Sequence, residues 1–345
     1  MKSKIFLLFF VLLIVELVAR LGFSIYAHTP FMQPKHIIYK YYPMVKYIQD
    51  EYVNARTDSR KILVLSCSTL HQEWGNFDQL IKEKLNASSL VLGTDSTVNY
   101  EVYTASGIGF SSLDNLNCYT LLKPLAFDLV VFYGGINDAR FNNCPSAVFK
   151  QDYSHLVWNN EVNCVLRHTE MNVSVLPFLL DFVFQKLYQR FCTDKFIPIH
   201  YELTSDWWKY GSELKSLSAF DHNILEIKKG CAQNNSKLLL LSYAYSLPNN
   251  YSLERFKSRQ LDYVFQPNSR ETEIWGEPQN VAKFLDSSNT HLAEMNGQDV
   301  YFYDMNSHLK AHRSYFADIC HFSEEGLAVF TSTLADTIRH IDDKK

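Results

Sequence analysis

The sequence predicts a doubly wound α/β fold with a five-stranded parallel sheet, preceded by an N-terminal membrane-spanning helix. Three observations point there. Five short apolar runs recur along the chain, each too short to be a buried helix. Segments of helical spacing separate them, the alternation that builds a parallel sheet through crossover connections. Residues 5–27 form a long apolar stretch at the start of the chain. With 345 residues, 47% hydrophobic and 20% charged, the chain reads as globular rather than disordered. A net charge of −4, with its basic residues scattered, leaves no electrostatic footprint for nucleic acid.

Met1-Lys2-Ser3-Lys4 is a short basic lead into Ile5–Val15, which is uncharged and strongly apolar. Glu16 and Arg20 interrupt at a spacing that lets them pair on one helical face, and 21–27 is apolar again. Ile25-Tyr26-Ala27 is a poor small-x-small cleavage site, so residues 1–27 read as a signal anchor with the following domain exported. A secreted chain, released by cleavage, is the alternative. Residues 28–60, with Ile37, Ile38, Tyr39, Tyr41 and Tyr42 clustered, read as a juxtamembrane linker, and 61–341 as one domain.

Within that domain the first strand is expected at 61–65 and a helix at 77–85, where Phe77, Leu80, Ile81 and Leu85 share a face. The second strand is expected at 98–104 and a helix at 112–122, stopped by Pro124. Asp128-Leu129-Val130-Val131-Phe132-Tyr133 reads as a central parallel strand. Residues 145–216 break the rhythm: a long aromatic insert holding Trp158, Trp207, Trp208 and Tyr210, with one helix at 176–191. Two readings stay open for it, a satellite hydrophobic core or a lid on which sugar rings stack. Regularity returns with a helix at 217–231, a strand at 237–243, a helix at 280–295, a strand at 300–304 and a closing helix at 323–341.

Seven cysteines, with no Cys-x-x-Cys pair, argue against structural zinc and against a disulfide framework; Cys144–Cys164 is the pairing expected if one forms. Asn-x-Ser sequons stand at Asn86, Asn172, Asn234 and Asn250 and matter only in a glycosylating host.

Ligands of doubly wound sheets bind beyond the carboxyl ends of the strands. Four blocks fall on that edge: Ser66-Cys67-Ser68-Thr69 after the first strand, Gly107-Ile108-Gly109-Phe110-Ser111 after the second, Gly135-Ile136-Asn137-Asp138 after the third, and Asp318-Ile319-Cys320-His321 after the fifth. An acid three residues ahead of a histidine can hold its Nδ1–H and leave Nε2 free to take a proton. A serine hydroxyl is a weak nucleophile until such a base takes its proton. Ser68 is placed where a following helix would favour an oxyanion beside it. Cys67 and Cys320 neighbour Ser68 and His321, but Cys67 should point away from the cleft if Ser68 points in.

In this order the four blocks resemble those of the SGNH (GDSL-like) hydrolases, over roughly residues 61–341. Ser66 and Cys67 depart from the family, which usually has Gly and Asp or Gly there. The resemblance implies a three-layer α/β/α, flavodoxin-like fold in an exported, membrane-anchored chain. It implies Ser68 as nucleophile, His321 as base and Asp318 as its orienting acid. The oxyanion hole would be the Ser68 and Gly109 backbone N–H groups and the Asn137 side chain, with Gly107 serving the turn and Asp138 closing its own turn locally. The implied reaction is hydrolysis of acetyl or short-chain acyl esters through an acyl-serine, without cofactor or metal, a glycan-linked ester being one candidate substrate. Two rivals stay open: an O-acyltransferase using the same triad on an exported polysaccharide, and a catalytically silent binding or scaffold protein.

Overall fold

The structure, a computed structural model, describes residues 2–87, 98–192 and 205–343. Its main helices are α1 (Lys2–Tyr26), α2 (Phe77–Ala87), α3 (Ser112–Leu122), α4 (Ile136–Phe141), α5 (Val157–Arg167), α6 (Leu176–Phe191), α7 (Ser216–Gln233), α8 (Pro278–Glu294) and α9 (Glu324–Asp342). The strands are β1 (Ser59–Ser66), β2 (Asn99–Ala105), β3 (Leu129–Tyr133), β4 (Lys237–Leu241) and β5 (Val300–Tyr303). The chain divides into two compact units, Tyr47–Ser146 with Tyr201–Lys345, and Met1–Lys46 with Ala147–His200.

The first unit is the α/β domain. Its five strands are all parallel, in the order β2-β1-β3-β4-β5. The middle strand, β3, is buried at every residue, as its unbroken apolar run requires. Right-handed crossovers put α2 on one face and α3, α4, α7 and α8 on the other, because the chain reverses direction across the sheet after β2. Closing helix α9 returns to pack on α2, with the Phe77 and Phe330 rings 6.2 Å apart. The reversal lies between β1 and β3, which makes the carboxyl ends of those two strands the crevice of the fold.

β1 starts two residues earlier than its apolar run. Arg60 is held there by Asp128 at 2.7 Å and Asp342 at 2.6 Å, so a charged residue pairs in the sheet at its edge of the core.

Helix α9 carries its own stop-and-start chemistry. Ser323 caps it, accepting from Gly326 N at 3.1 Å and donating to Ser314 O at 2.7 Å. A Cβ on Gly326 would lie 2.0 Å from the backbone oxygen of Tyr315. Gly326→Ala is therefore expected to lose about 1–3 kcal/mol through overpacking against rigid backbone. A denaturant midpoint indistinguishable from that of the parent chain would show that this contact relaxes freely.

The second unit combines α1, the turns that follow it, α5 and α6. In α1, Arg20 Nε meets Glu16 at 2.6 Å, the pairing its i,i+4 spacing predicts. Trp158 packs edge-on against Tyr41, ring centroids 5.2 Å apart. All seven cysteines are free, Cys144 and Cys164 included, which corrects the expected bridge. Each of those two thiols has another partner: Cys144 Sγ donates to Phe141 O, and Cys164 Sγ to Asp181.

Candidate active site

The carboxyl edge of the sheet brings Ser68, His321 and Asp318 together. Ser68 Oγ lies 3.0 Å from His321 Nε2, and His321 Nδ1 lies 2.8 Å from Asp318 Oδ2. All three are buried, yet Ser68 and His321 line a cleft of about 460 Å³ together with Gly109, Asn137 and Arg140.

Each side chain is placed by a local device. Ser66 Oγ donates to Tyr133 O at 2.9 Å, tying the end of β1 to the end of β3 just ahead of Ser68. Cys67 points into the core, where its Sγ meets Thr69 Oγ1 at 3.3 Å and Tyr243 OH at 3.6 Å. That leaves Ser68 facing the cleft. The residue does not open an α-helix, contrary to the sequence expectation. Ser68–Leu70 is a single 3₁₀ turn, His71 is extended, Gln72–Trp74 is a second turn, and α2 begins only at Phe77. Gly75, at φ +140°, takes a conformation no helix uses, with Leu327 Cδ2 standing 2.4 Å from where a Cβ would be. A full helix dipole behind Ser68 is accordingly no part of this site.

The Asp318 carboxylate is caged. Oδ1 accepts from Cys320 N at 3.0 Å and His321 N at 2.9 Å, and Oδ2 accepts from Arg270 N at 2.9 Å as well as from the imidazole. Burial alone would raise this carboxyl, but the neighbouring His321 and the hydrogen bonds from His321 and Cys320 outweigh it, and it lies below the ordinary carboxylate range. The loop is cinched by Ala317 N donating to His321 O at 2.7 Å and Ser246 N donating to Ile319 O at 2.8 Å. Burial pushes the Cys320 thiol well up, so it stays protonated.

On the facing side, Gly107–Phe110 is a turn closed by Phe110 N donating to Gly107 O at 3.2 Å. Gly109 sits at its third position with φ +75°, so the turn itself demands glycine there. At Gly107 the constraint is space, since a Cβ would meet the Phe110 ring at 2.4 Å. Gly107 thus serves the turn, its carbonyl accepting the closing bond, while Gly109 both shapes the turn and lines the cleft. Asn137 Nδ2 donates to Phe110 O at 2.9 Å and its Oδ1 accepts from Trp275 Nε1 at 3.0 Å. These two bonds fix which way the amide points and leave one of its N–H bonds uncommitted to Phe110. Asp138 closes its turn locally through its backbone, Asp138 N donating to Gly135 O at 3.0 Å, and its carboxylate also reaches further, accepting from Ser112 N at 2.9 Å and Ser112 Oγ at 2.6 Å at the start of α3. It therefore locks the Asn137 block to the Gly109 block.

Two residues that the sequence did not single out complete the cleft. Trp74 stacks flat on His321, with centroids 3.7 Å apart and planes 6° from parallel, and Trp275 lies at 5.9 Å and 47°. Neither belongs to a periodic pattern, so no spacing rule marks them. The insert tryptophans drew attention instead, and of these Trp208 lines a separate cleft with Tyr251 and Glu277.

No protein-family model matches the sequence. No curated protein matches it either. Among solved structures the chain is similar to a lipase/acylhydrolase from Enterococcus faecalis, at 13% identity over 81% of this chain and 96% of that one, TM-score 0.40. It is similar to a GDSL-like lipase from Bacteroides thetaiotaomicron, at 10% identity over 86% and 98%, TM-score 0.44. An acetyl xylan esterase matches at 12% identity over 81% and 98%, TM-score 0.39. At these identities and scores no residue role and no substrate passes from them to this chain.

Proposed function

We propose that this chain is a serine esterase that hydrolyses short acyl esters through an acyl-Ser68 intermediate. The observation that carries the reading is the unbroken line Ser68 Oγ, His321 Nε2, His321 Nδ1, Asp318 Oδ2, at 3.0 and 2.8 Å, opening on a cleft that Gly109 and Asn137 also line. His321 takes the hydroxyl proton as Ser68 Oγ bonds to the ester carbonyl carbon. The carbonyl oxygen becomes an oxyanion, which the Ser68 and Gly109 N–H groups and the free Asn137 N–H are suited to receive. Collapse breaks the bond to the alcohol oxygen, and the imidazolium returns its proton to that leaving group. Water then repeats the sequence on the acyl-serine and releases the acid.

Trp74, Ile108, Ile274 and Trp275 give the cleft apolar walls, which suit the acyl group of an ester. The apolar helix Lys4–Tyr26 supports tethering of the chain to a membrane.

Asn137→Ala is expected to lower kcat about 10²–10³-fold with little change in KM, because an oxyanion donor acts in the transition state and not on the ground-state ester. Equal activity in the variant would remove Asn137 from the hole.

The reading is tested with a fluorophosphonate probe and a panel of esters differing in acyl length, with acetate release followed in the presence and absence of added oligosaccharide. Covalent labelling of Ser68 with acid release supports hydrolysis. Transfer to the oligosaccharide in preference to water would make the protein an O-acyltransferase, and neither labelling nor turnover would make it a scaffold.

A further inference from the structure

The geometry points to a second membrane-contacting element: we infer that the apolar stripe of α6 lies in the lipid bilayer beside α1. The inference rests on the reading of α1 as a membrane anchor.

Helix α6 is amphipathic the wrong way round for water. Leu180, Val183, Phe184, Leu187, Tyr188 and Phe191 recur three and four apart on one face, and they are 36–78% exposed. The opposite face is turned inward, onto α5, and carries Asp181 and Gln185 beside the rings of Phe178 and Phe182. Asp181 Oδ2 accepts from Arg167 Nε at 2.8 Å and meets His168 Nε2 at 3.0 Å, Asn160 Nδ2 reaches Gln185 at 3.5 Å, and Lys186 pairs with Glu161. A helix beside water buries its apolar face and hydrates its polar one. One beside lipid does the reverse, because polar groups there must be satisfied inside the protein.

An independent observation places the start of α6 at the anchor. Glu16 and Arg20 are the charges that interrupt the apolar run of α1, and hydrocarbon tolerates them only if every polar atom is partnered. Arg20 donates to Glu16 at 2.6 Å, to Asn172 O at 3.1 Å, to Val173 O at 2.9 Å and to Phe31 O at 3.3 Å. Glu16 accepts from Ser174 Oγ at 2.9 Å and from Val175 N at 3.0 Å. The segment that leads into α6 thus satisfies both charges of α1, and they in turn satisfy backbone groups that a helix start leaves open. One turn on, Phe178 packs on Phe23, ring centroids 5.7 Å apart. The start of α6 therefore lies against α1, whose own apolar side chains are exposed as well. At 16 residues α6 falls short of the roughly 20 a crossing needs, so it occupies one leaflet without spanning.

The test uses the full-length protein in phosphatidylcholine/phosphatidylglycerol vesicles and a bilayer-soluble diazirine, with adducts mapped by mass spectrometry. Stripe residues of α6 are expected to be labelled within about threefold of those in α1, and α7, inside the α/β domain, far less. Labelled α1 with α6 at the level of α7 would overturn the inference and spare the anchor. A second copy covering the stripe would give that same result, with cross-linked dimers beside it. If α1 is also unlabelled, the anchor reading fails and takes the inference with it. The triple variant Leu180→Asp, Phe184→Asp, Leu187→Asp should lower α6 labelling at least about fivefold while α1 labelling holds. Undiminished α6 labelling in that variant would mean that lipid does not touch this stripe.

Discussion

Ser68→Ala is expected to fold as the parent chain does and to lose esterase turnover by about 10³-fold or more. The hydroxyl contributes one buried hydrogen bond, to His321 Nε2 at 3.0 Å, and the backbone around it is held by other bonds, from Ser66 to Tyr133 and from Thr69 to Tyr243. Removing Oγ leaves those untouched while deleting the atom proposed to carry the acyl group. The comparison to make is kcat/KM on a short-chain ester together with fluorophosphonate labelling and a thermal melt. Full turnover by a folded, unlabelled variant would end the acyl-serine mechanism.

His321→Ala should cost about as much, since a nucleophile and its base fail as one unit. Asp318→Asn should cost somewhat less, though more than loss of orientation alone. Three N–H groups and the ring converge on the two carboxylate oxygens, from Cys320, His321, Arg270 and imidazole Nδ1. An amide in that cage must set its NH₂ against at least one of them. If it faces the ring, the imidazole takes the tautomer with Nε2–H toward Ser68 and can no longer accept the serine proton. If it faces away, it clashes with backbone donors and destabilises the loop. Stability should report the same cage. The folded-state carboxyl is depressed below its ordinary value near ~3.9, so ionised Asp318 contributes stability that is fully present above that pH and fades as pH falls through the lower folded value. The stability gap between the parent chain and Asp318→Asn should accordingly narrow on acidification below about pH 4. A gap that widens there, in denaturant midpoints across pH, would mean the carboxyl is not held ionised by its cage.

Much of this was legible in the residues. Apolar runs marked all five strands to within two residues, because a strand covered on both faces has little choice of composition. Ser68, Gly109, Asn137 and the Asp318–His321 loop were legible as a set because they follow strands on one edge. What escaped reading depends on contacts between distant segments. Trp74 and Trp275 reach the site from turns with no period, and Asp138 spends its carboxylate on Ser112, 26 positions away in sequence. Gly75 breaks the helix expected after Ser68 through its fit against Leu327, a residue of the closing helix. The stripe of α6 was visible as helical spacing, but spacing alone does not say which face looks inward.

The Trp74 indole, lying 3.7 Å from the imidazole of His321 and 6° from parallel to it, is also an optical partner to that ring. A neutral imidazole leaves indole emission largely intact, whereas an imidazolium in van der Waals contact quenches it by accepting an electron from the excited state. Trp74 emission is therefore expected to follow the charge on His321. With Trp74→Phe as the blank for the other four tryptophans, the difference emission is expected to report the charge of the proposed base without any added dye.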